Sequence, residues 1–214
     1  MIDAQAVALS DESLAEATLS LAAMDADLAG LLKANGTPPL WARPAGFATL
    51  IRIILEQQVS LKSAAAIYRR LKANVSPLTP ANIMQAGFDH LRSLGITRQK
   101  ASYFINVAEA IASGELNFEL LAKADDGDAV EILTSIRGVG PWTAKIYLLM
   151  VLCRPDVWPV GDIALATAVK NMQGLKKRPS QPELTEIALA WQPHRATAAR
   201  MLWHYYLSGM KTDG

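Results

Sequence analysis

Residues 133–165 read Leu133-Thr-Ser-Ile-Arg-Gly-Val-Gly-Pro-Trp-Thr-Ala-Lys-Ile-Tyr-Leu-Leu-Met-Val-Leu-Cys-Arg-Pro-Asp-Val-Trp-Pro-Val-Gly-Asp-Ile-Ala-Leu165. Two helical patterns flank a tight turn at Gly138-Val139-Gly140. Glycine permits a sharp turn because no Cβ obstructs it. Pro141 suits the first position of the second helix, where its missing N–H leaves nothing unsatisfied and its fixed φ is already helical. The backbone N–H groups of Gly138, Gly140, Trp142 and Thr143 then converge near a positive helix N-terminus, which suits an anion. No carboxylate lies in the turn to compete. A Pro-interrupted loop follows and ends in one acid, Asp162, at the start of another helical run.

Composition narrows the class. The 214 residues suffice for one sizeable domain or two small lobes, and at 51% hydrophobic residues they can fill a core. No uncharged apolar run reaches the roughly eighteen residues of a membrane span. The opening Met1-Ile-Asp-Ala-Gln5 lacks the basic and apolar regions of a secretory signal. The lone cysteine, Cys153, excludes an internal disulfide and a four-cysteine metal or iron–sulfur site. A reducing, cytoplasmic setting is expected. Net charge is only +1, but its distribution is uneven. Residues 1–40 hold six acids against Lys33, whereas ten Lys and Arg face five acids from Arg137 onward. The later part of the chain therefore suits a polyanion.

Ile136-Arg-Gly-Val-Gly-Pro-Trp-Thr-Ala144 resembles the hairpin of the helix-hairpin-helix DNA glycosylases, and Val157-Trp-Pro-Val-Gly-Asp-Ile163 resembles the Gly/Pro-rich loop and aspartate that follow it. Within that superfamily the similarity is to the 3-methyladenine DNA glycosylase II branch, and it covers roughly Phe47 to Tyr206. Glu56-Gln-Gln-Val-Ser60 followed by an alanine-rich helix carries the same resemblance, as does the tail with Trp191-Gln-Pro-His-Arg195 and Trp203. The resemblance implies an all-α fold of two helical lobes with a DNA-binding cleft between them. Its expected parts are N-terminal helices (1–43) packing with a C-terminal lobe (153–214), and a middle lobe (44–152) with the wedge and hairpin.

Read in order, Asp11 to Leu32 forms two short helices stopped at Asn35-Gly36, and a Pro-rich loop runs from Thr37 through Pro44. Phe47–Glu56 is a mostly buried helix. Ser60 caps the next, whose apolar positions are Leu61, Ala64, Ala65, Tyr68 and Leu71. Thr79-Pro80 opens another, and a long helix ends at Ser113-Gly114. Arg98 and Lys100, at its start, are either solvated or turned toward DNA. Asp125-Asp-Gly-Asp128 is an acidic turn that caps the first hairpin helix rather than a calcium loop. Lys176-Lys-Arg178 is a basic loop, Pro182–Trp191 a helix, and Pro193 opens the last helix. Strand patterning is absent.

The resemblance also assigns roles. Asp162 is the catalytic carboxylate, expected to stabilise positive charge growing on the sugar as the glycosidic bond breaks. Many relatives have two adjacent acids here; this chain has Gly161-Asp162 and keeps the second. Trp142 and Trp203 line the base pocket, where a cationic purine gains roughly 0.5–2 kcal/mol over an aromatic face. Tyr147 and Trp158 are expected to pack. Gln58 enters the duplex and fills the gap left by the extruded nucleotide. Gly138, Gly140 and Thr143 bind phosphate. The main-chain carbonyls of Thr134, Ile136 and Val139 hold a structural Na+ or K+, with no cofactor for catalysis and no iron–sulfur cluster. Bifunctional relatives place a Schiff-base lysine where this chain has Trp142, and Lys145 lies nearly a turn further on. The expected enzyme is a monofunctional glycosylase, acting as a monomer on alkylated purines (3-methyladenine, with 7-methylguanine) in double-stranded DNA. Two alternatives stand beside it: a glycosylase for oxidised or mismatched bases, and a non-catalytic DNA-binding module.

Overall fold

In the computed structural model, which describes residues 7–212, every regular element is an α-helix. Met1–Gln5, read above as lacking a signal, lies outside the described residues. Among them no helix is long and apolar enough to cross a membrane. In chain order the helices are α1 (Asp11–Met24), α2 (Ala26–Asn35), α3 (Phe47–Glu56), α4 (Leu61–Asn74), α5 (Pro80–Ser93) and α6 (Arg98–Ala112). They continue with α7 (Phe118–Lys123), α8 (Asp126–Ser135), α9 (Pro141–Met150), α10 (Ile163–Met172), α11 (Gln181–Leu189) and α12 (Arg195–Thr212).

Most starts follow local capping chemistry. The side chains of Ser60, Thr79, Thr97 and Asp125 each accept a hydrogen bond from the backbone N–H three residues on. Each thereby satisfies one of the orphan donors of a helix N-terminus. One expectation needs correction. The last helix opens at Arg195 and not at Pro193, because the N–H groups of Thr197 and Ala198 bond the carbonyl of His194. Leu61, the first residue of α4, is 57% exposed. Gly87 breaks the helical geometry inside α5, with φ at +72°.

The chain divides into two compact units, one from Arg43–Tyr147 and the other from Met1–Ala42 with Leu148–Gly214. In the first, α3 is the core. Leu50, Ile51, Ile53, Ile54 and Leu55 are all buried, and α3 packs on α4 and α6. The Tyr147 ring stacks on Phe118 at 5.8 Å between centroids, and its hydroxyl accepts the Gly46 N–H. Burial pushes the Tyr147 phenol up to about 12, although that N–H pulls the other way.

In the second unit, α12 packs against α1, α2 and α10. Arg200 of α12 lies fully buried, out of reach of water. Its guanidinium donates instead to the carbonyls of Leu40, Leu149 and Ala196 at 2.6–3.0 Å. One side chain therefore joins the N-terminal segment, the returning chain and the last helix. Burial lowers its pKa to about 10. The Trp191 indole donates to Asp25, the N-cap of α2, at 2.8 Å, and the Leu9 N–H bonds the Cys153 carbonyl.

Candidate active site

Asp162 belongs to the second unit. The loop Val157–Gly161 delivers it with Val157, Trp158 and Pro159 buried, and Gly161 turns at φ +86°. Asp162 is the N-cap of α10: its Oδ1 accepts the Leu165 N–H at 2.9 Å. The same oxygen accepts the Trp203 indole N–H, from α12, at 3.3 Å. Asp162 is 9% exposed and Trp203 8%. Two donors and a helix N-terminus thus fix one carboxylate oxygen, and an indole ring is set beside it. The helix cap uses Oδ1. On either side in sequence, Val160 and Ile163 are exposed apolar side chains.

The α12 neighbour of Trp203, His204, sits edge-on to Trp41, 6.3 Å between ring centroids. Trp41 itself holds a left-handed backbone, φ +52°. The segment leading to it is anchored where Leu40 meets Arg200.

The first unit carries the hairpin and the glutamine pair. The Val139 N–H bonds the Ile136 carbonyl at 3.0 Å and closes the turn, and Gly138 takes φ +108°. A Cβ at Gly138 would be driven into the Tyr103 ring of α6, so glycine is demanded twice, by φ and by space. Gly140 and Pro141 are exposed, Trp142 is half-buried, and Thr143 is buried. Expected as a phosphate contact, Thr143 has its hydroxyl turned inward, where it accepts the Gln57 amide at 2.8 Å. Any contact it makes with a phosphate is left to its backbone. Lys145 is half-buried.

Gln57 and Gln58 separate sharply. Gln57 is the half-buried member, and its Nε2 also donates to the Gly138 carbonyl at 3.1 Å. Gln58 is exposed at φ +55°, a strained value for a residue with a side chain. Lys100, one of the two charges whose direction the sequence left open, does not point outward. Its ammonium donates to the carbonyls of Leu55 and Gln57 at 2.7 and 2.8 Å, closing the C-terminus of α3. Burial lowers its pKa. Arg98 stays exposed with its guanidinium over the Phe88 ring. Neither the Gln57 bridge nor the Lys100 cap was foreseen, since each partner lies over forty residues away and no local pattern encodes it.

Among the described residues no cluster of three or more His, Cys, Asp or Glu could hold a metal ion. The Lys176–Arg178 loop is exposed throughout.

Residues 51–193 match the model of the HhH-GPD superfamily base excision DNA repair proteins. The chain is 35% identical over 113 residues to the DNA-3-methyladenine glycosylase of Bacillus subtilis, a match spanning 53% of this chain and 37% of that protein. The chain thus spans well under half the length of that relative. Among solved structures, a 3-methyladenine DNA glycosylase from Schizosaccharomyces pombe in complex with abasic DNA superposes with a TM-score of 0.79 at 27% identity. That alignment covers 88% of this chain and 95% of the other. A DNA-3-methyladenine glycosidase from Bacillus halodurans gives 0.76 at 30% identity, covering 91% of each chain.

Proposed function

The chain belongs to the HhH-GPD superfamily of base excision DNA repair proteins, and from that premise we propose that it hydrolyses the N-glycosidic bond of alkylated purines in duplex DNA. The substrates are 3-methyladenine and 7-methylguanine, and the products are the free base and an abasic site. The relatives and neighbours described above support this reading through the activity their names state. The observation that carries it to particular atoms is the Asp162 carboxylate, held by the Leu165 N–H and the Trp203 indole at the start of α10.

A purine alkylated at N3 or N7 is cationic and already a competent leaving group. Little is therefore needed at the base itself beyond an electron-rich surface. Trp203 offers one, worth roughly 0.5–2 kcal/mol toward a cation and roughly 1–3 kcal/mol in stacking. Trp142 keeps its assignment as a second stacking residue on the resemblance of the hairpin. As the bond breaks, the positive charge moves from the purine to the sugar. Asp162 meets that charge and orients the attacking water. Because Oδ1 is fixed by its two donors, the carboxylate needs no reorganisation when the charge forms.

Duplex DNA is the partner, bound by a monomer. The backbone N–H groups at Gly138, Gly140 and Thr143 seat a phosphate, which positions the strand without reading sequence. Gln58 fills the vacated stack. The carbonyls of Thr134, Ile136 and Val139 are assigned a Na+ or K+; the Ile136 oxygen, though bonded to Val139 N–H, has a second lone pair to offer. Such an ion supplies positive charge at the phosphate and takes no part in bond cleavage.

The test is release of bases from methylated duplex DNA, with the released purines separated and identified. Release of 3-methyladenine with no strand cleavage and no borohydride-trapped adduct is expected. A trapped adduct would show lysine chemistry that Trp142 at the usual lysine position argues against. DNA binding with no release at all would leave a binding module.

A further inference from the structure

The adjacent glutamines occupy different environments, and the difference points to a second working residue beside Gln58. Gln58 is exposed in a left-handed backbone conformation at the tip of the α3–α4 turn. Such a conformation persists only where the surroundings over-determine it. On its far side the turn is fixed by Ser60, whose Oγ accepts the Ser63 N–H at 3.2 Å. On its near side it is fixed by Gln57. One amide nitrogen of Gln57 donates both to the Gly138 carbonyl, inside the hairpin turn, and to the Thr143 hydroxyl, in the first turn of α9. The Gln57 carbonyl in turn accepts the Lys100 ammonium.

Lys100 is one member of a row along α6. Lys100, Tyr103 and Asn106 are spaced by three, so they share a helix face. Lys100 holds the end of α3, Tyr103 fills the space under Gly138, and the Asn106 amide donates to the Arg137 carbonyl at 3.1 Å. The turn bearing Gln58 and the hairpin are therefore fastened to each other by Gln57 and to one common support by α6. Hydrogen-bonded groups linked in this way move together or break bonds to move apart.

We propose that Gln57 is a positioning residue that couples insertion of Gln58 into the duplex to seating of the phosphate in the hairpin. The proposal rests on the glycosylase reading above and adds to it a residue that does not touch the reacting atoms. In functional terms, a strand seated on Gly138 and Gly140 fixes where the Gln58 side chain enters. Without Gln57 the two contacts with DNA are made independently, and the wedge loses its register. A displacement of about 1 Å at such a contact lowers a rate by on the order of 10²-fold.

The experiment compares wild type, Gln57→Leu, Gln58→Ala and the double variant. Insertion is read from 2-aminopurine fluorescence opposite a tetrahydrofuran abasic analogue in a bound duplex, and backbone grip from affinity for undamaged duplex. Gln57→Leu should lose the 2-aminopurine signal as Gln58→Ala does and keep its affinity for undamaged DNA. Since one residue acts through the other, the double variant should match the worse single variant to within about twofold. A wild-type signal from Gln57→Leu, or losses that multiply in the double variant, would overturn the proposal. Lys100→Met, which frees the same turn from α6, serves where Gln57→Leu does not fold, and the same loss of signal is expected. Base release by wild type is scored separately. A failure of the glycosylase reading appears there, whereas the coupling is decided by 2-aminopurine alone.

Discussion

At Asp162 one side chain combines two duties. Its Oδ1 accepts the N–H of Leu165 and so closes the start of α10, and it accepts the Trp203 indole as well. Asparagine caps helices about as well as aspartate, so Asp162→Asn should change stability by less than about 1 kcal/mol in a thermal melt. Removing the charge is a different matter. Loss of one preorganised electrostatic contact to a developing charge lowers turnover by on the order of 10²–10³-fold. Its place at the start of α10 was legible in sequence because a lone carboxylate after a Pro-interrupted loop stands out, and because the motif around it is local. The Trp203 contact, 41 residues distant, was not legible as a hydrogen bond, only as a family position. Gln57 was unreadable for the same reason: its partners, Gly138 and Thr143, lie 81 and 86 residues on.

At the scale of elements, the hairpin depends on the fit between Gly138 and α6. Its φ of +108° and the Tyr103 ring against it both exclude a side chain. Gly138→Ala should therefore destabilise the protein by roughly 1–3 kcal/mol from backbone strain, with steric repacking in addition. Urea melts read that loss directly. A variant as stable as wild type would mean that the turn adopts another geometry. Tyr103→Ala opens space, so it should rescue part of the Gly138→Ala loss, the non-additivity expected of residues in contact. Sequence gave access to most element boundaries because caps act over three residues: Ser60, Thr79 and Asp162 each announce the helix that follows. It misjudged the start of α12, since Pro193 satisfies the rule for a first helical residue while the first intrahelical acceptor is the His194 carbonyl. The six-residue α7 has too little periodicity to register at all.

At the scale of the molecule, each unit holds its own core, and charged or polar groups inside it are anchored by carbonyls and N–H groups from distant segments. Arg200→Met keeps much of the volume but strips the half-buried Leu40 and the buried Leu149 of a charged donor to their carbonyls. Each such acceptor costs about 1–3 kcal/mol when left unsatisfied, so chemical denaturation should show a loss of roughly 2–5 kcal/mol. Tyr147 makes stability depend on alkaline pH. Its phenol ionises near 10 in the unfolded chain and at about 12 in the folded one. The folded state binds more protons across that window, so the stabilisation is complete below pH 10 and is lost as pH rises toward about 12. Arg200 has the opposite sign, because its folded pKa of about 10 lies below that of the unfolded chain. The quantity to measure is therefore the difference in stability between wild type and Tyr147→Phe. It should shift against wild type by about 2–3 kcal/mol across the window; a pH-independent difference would contradict the burial argument. Neither dependence could be read from composition, which supplies a net charge and no environments.

The most direct test of the account is single-turnover release of 3-methyladenine from a defined duplex by wild type and by Asp162→Asn, at matched folding and matched DNA affinity. Release by wild type and a rate lower by on the order of 10²–10³-fold in the variant are expected. Equal rates from two equally folded, equally bound proteins would contradict it.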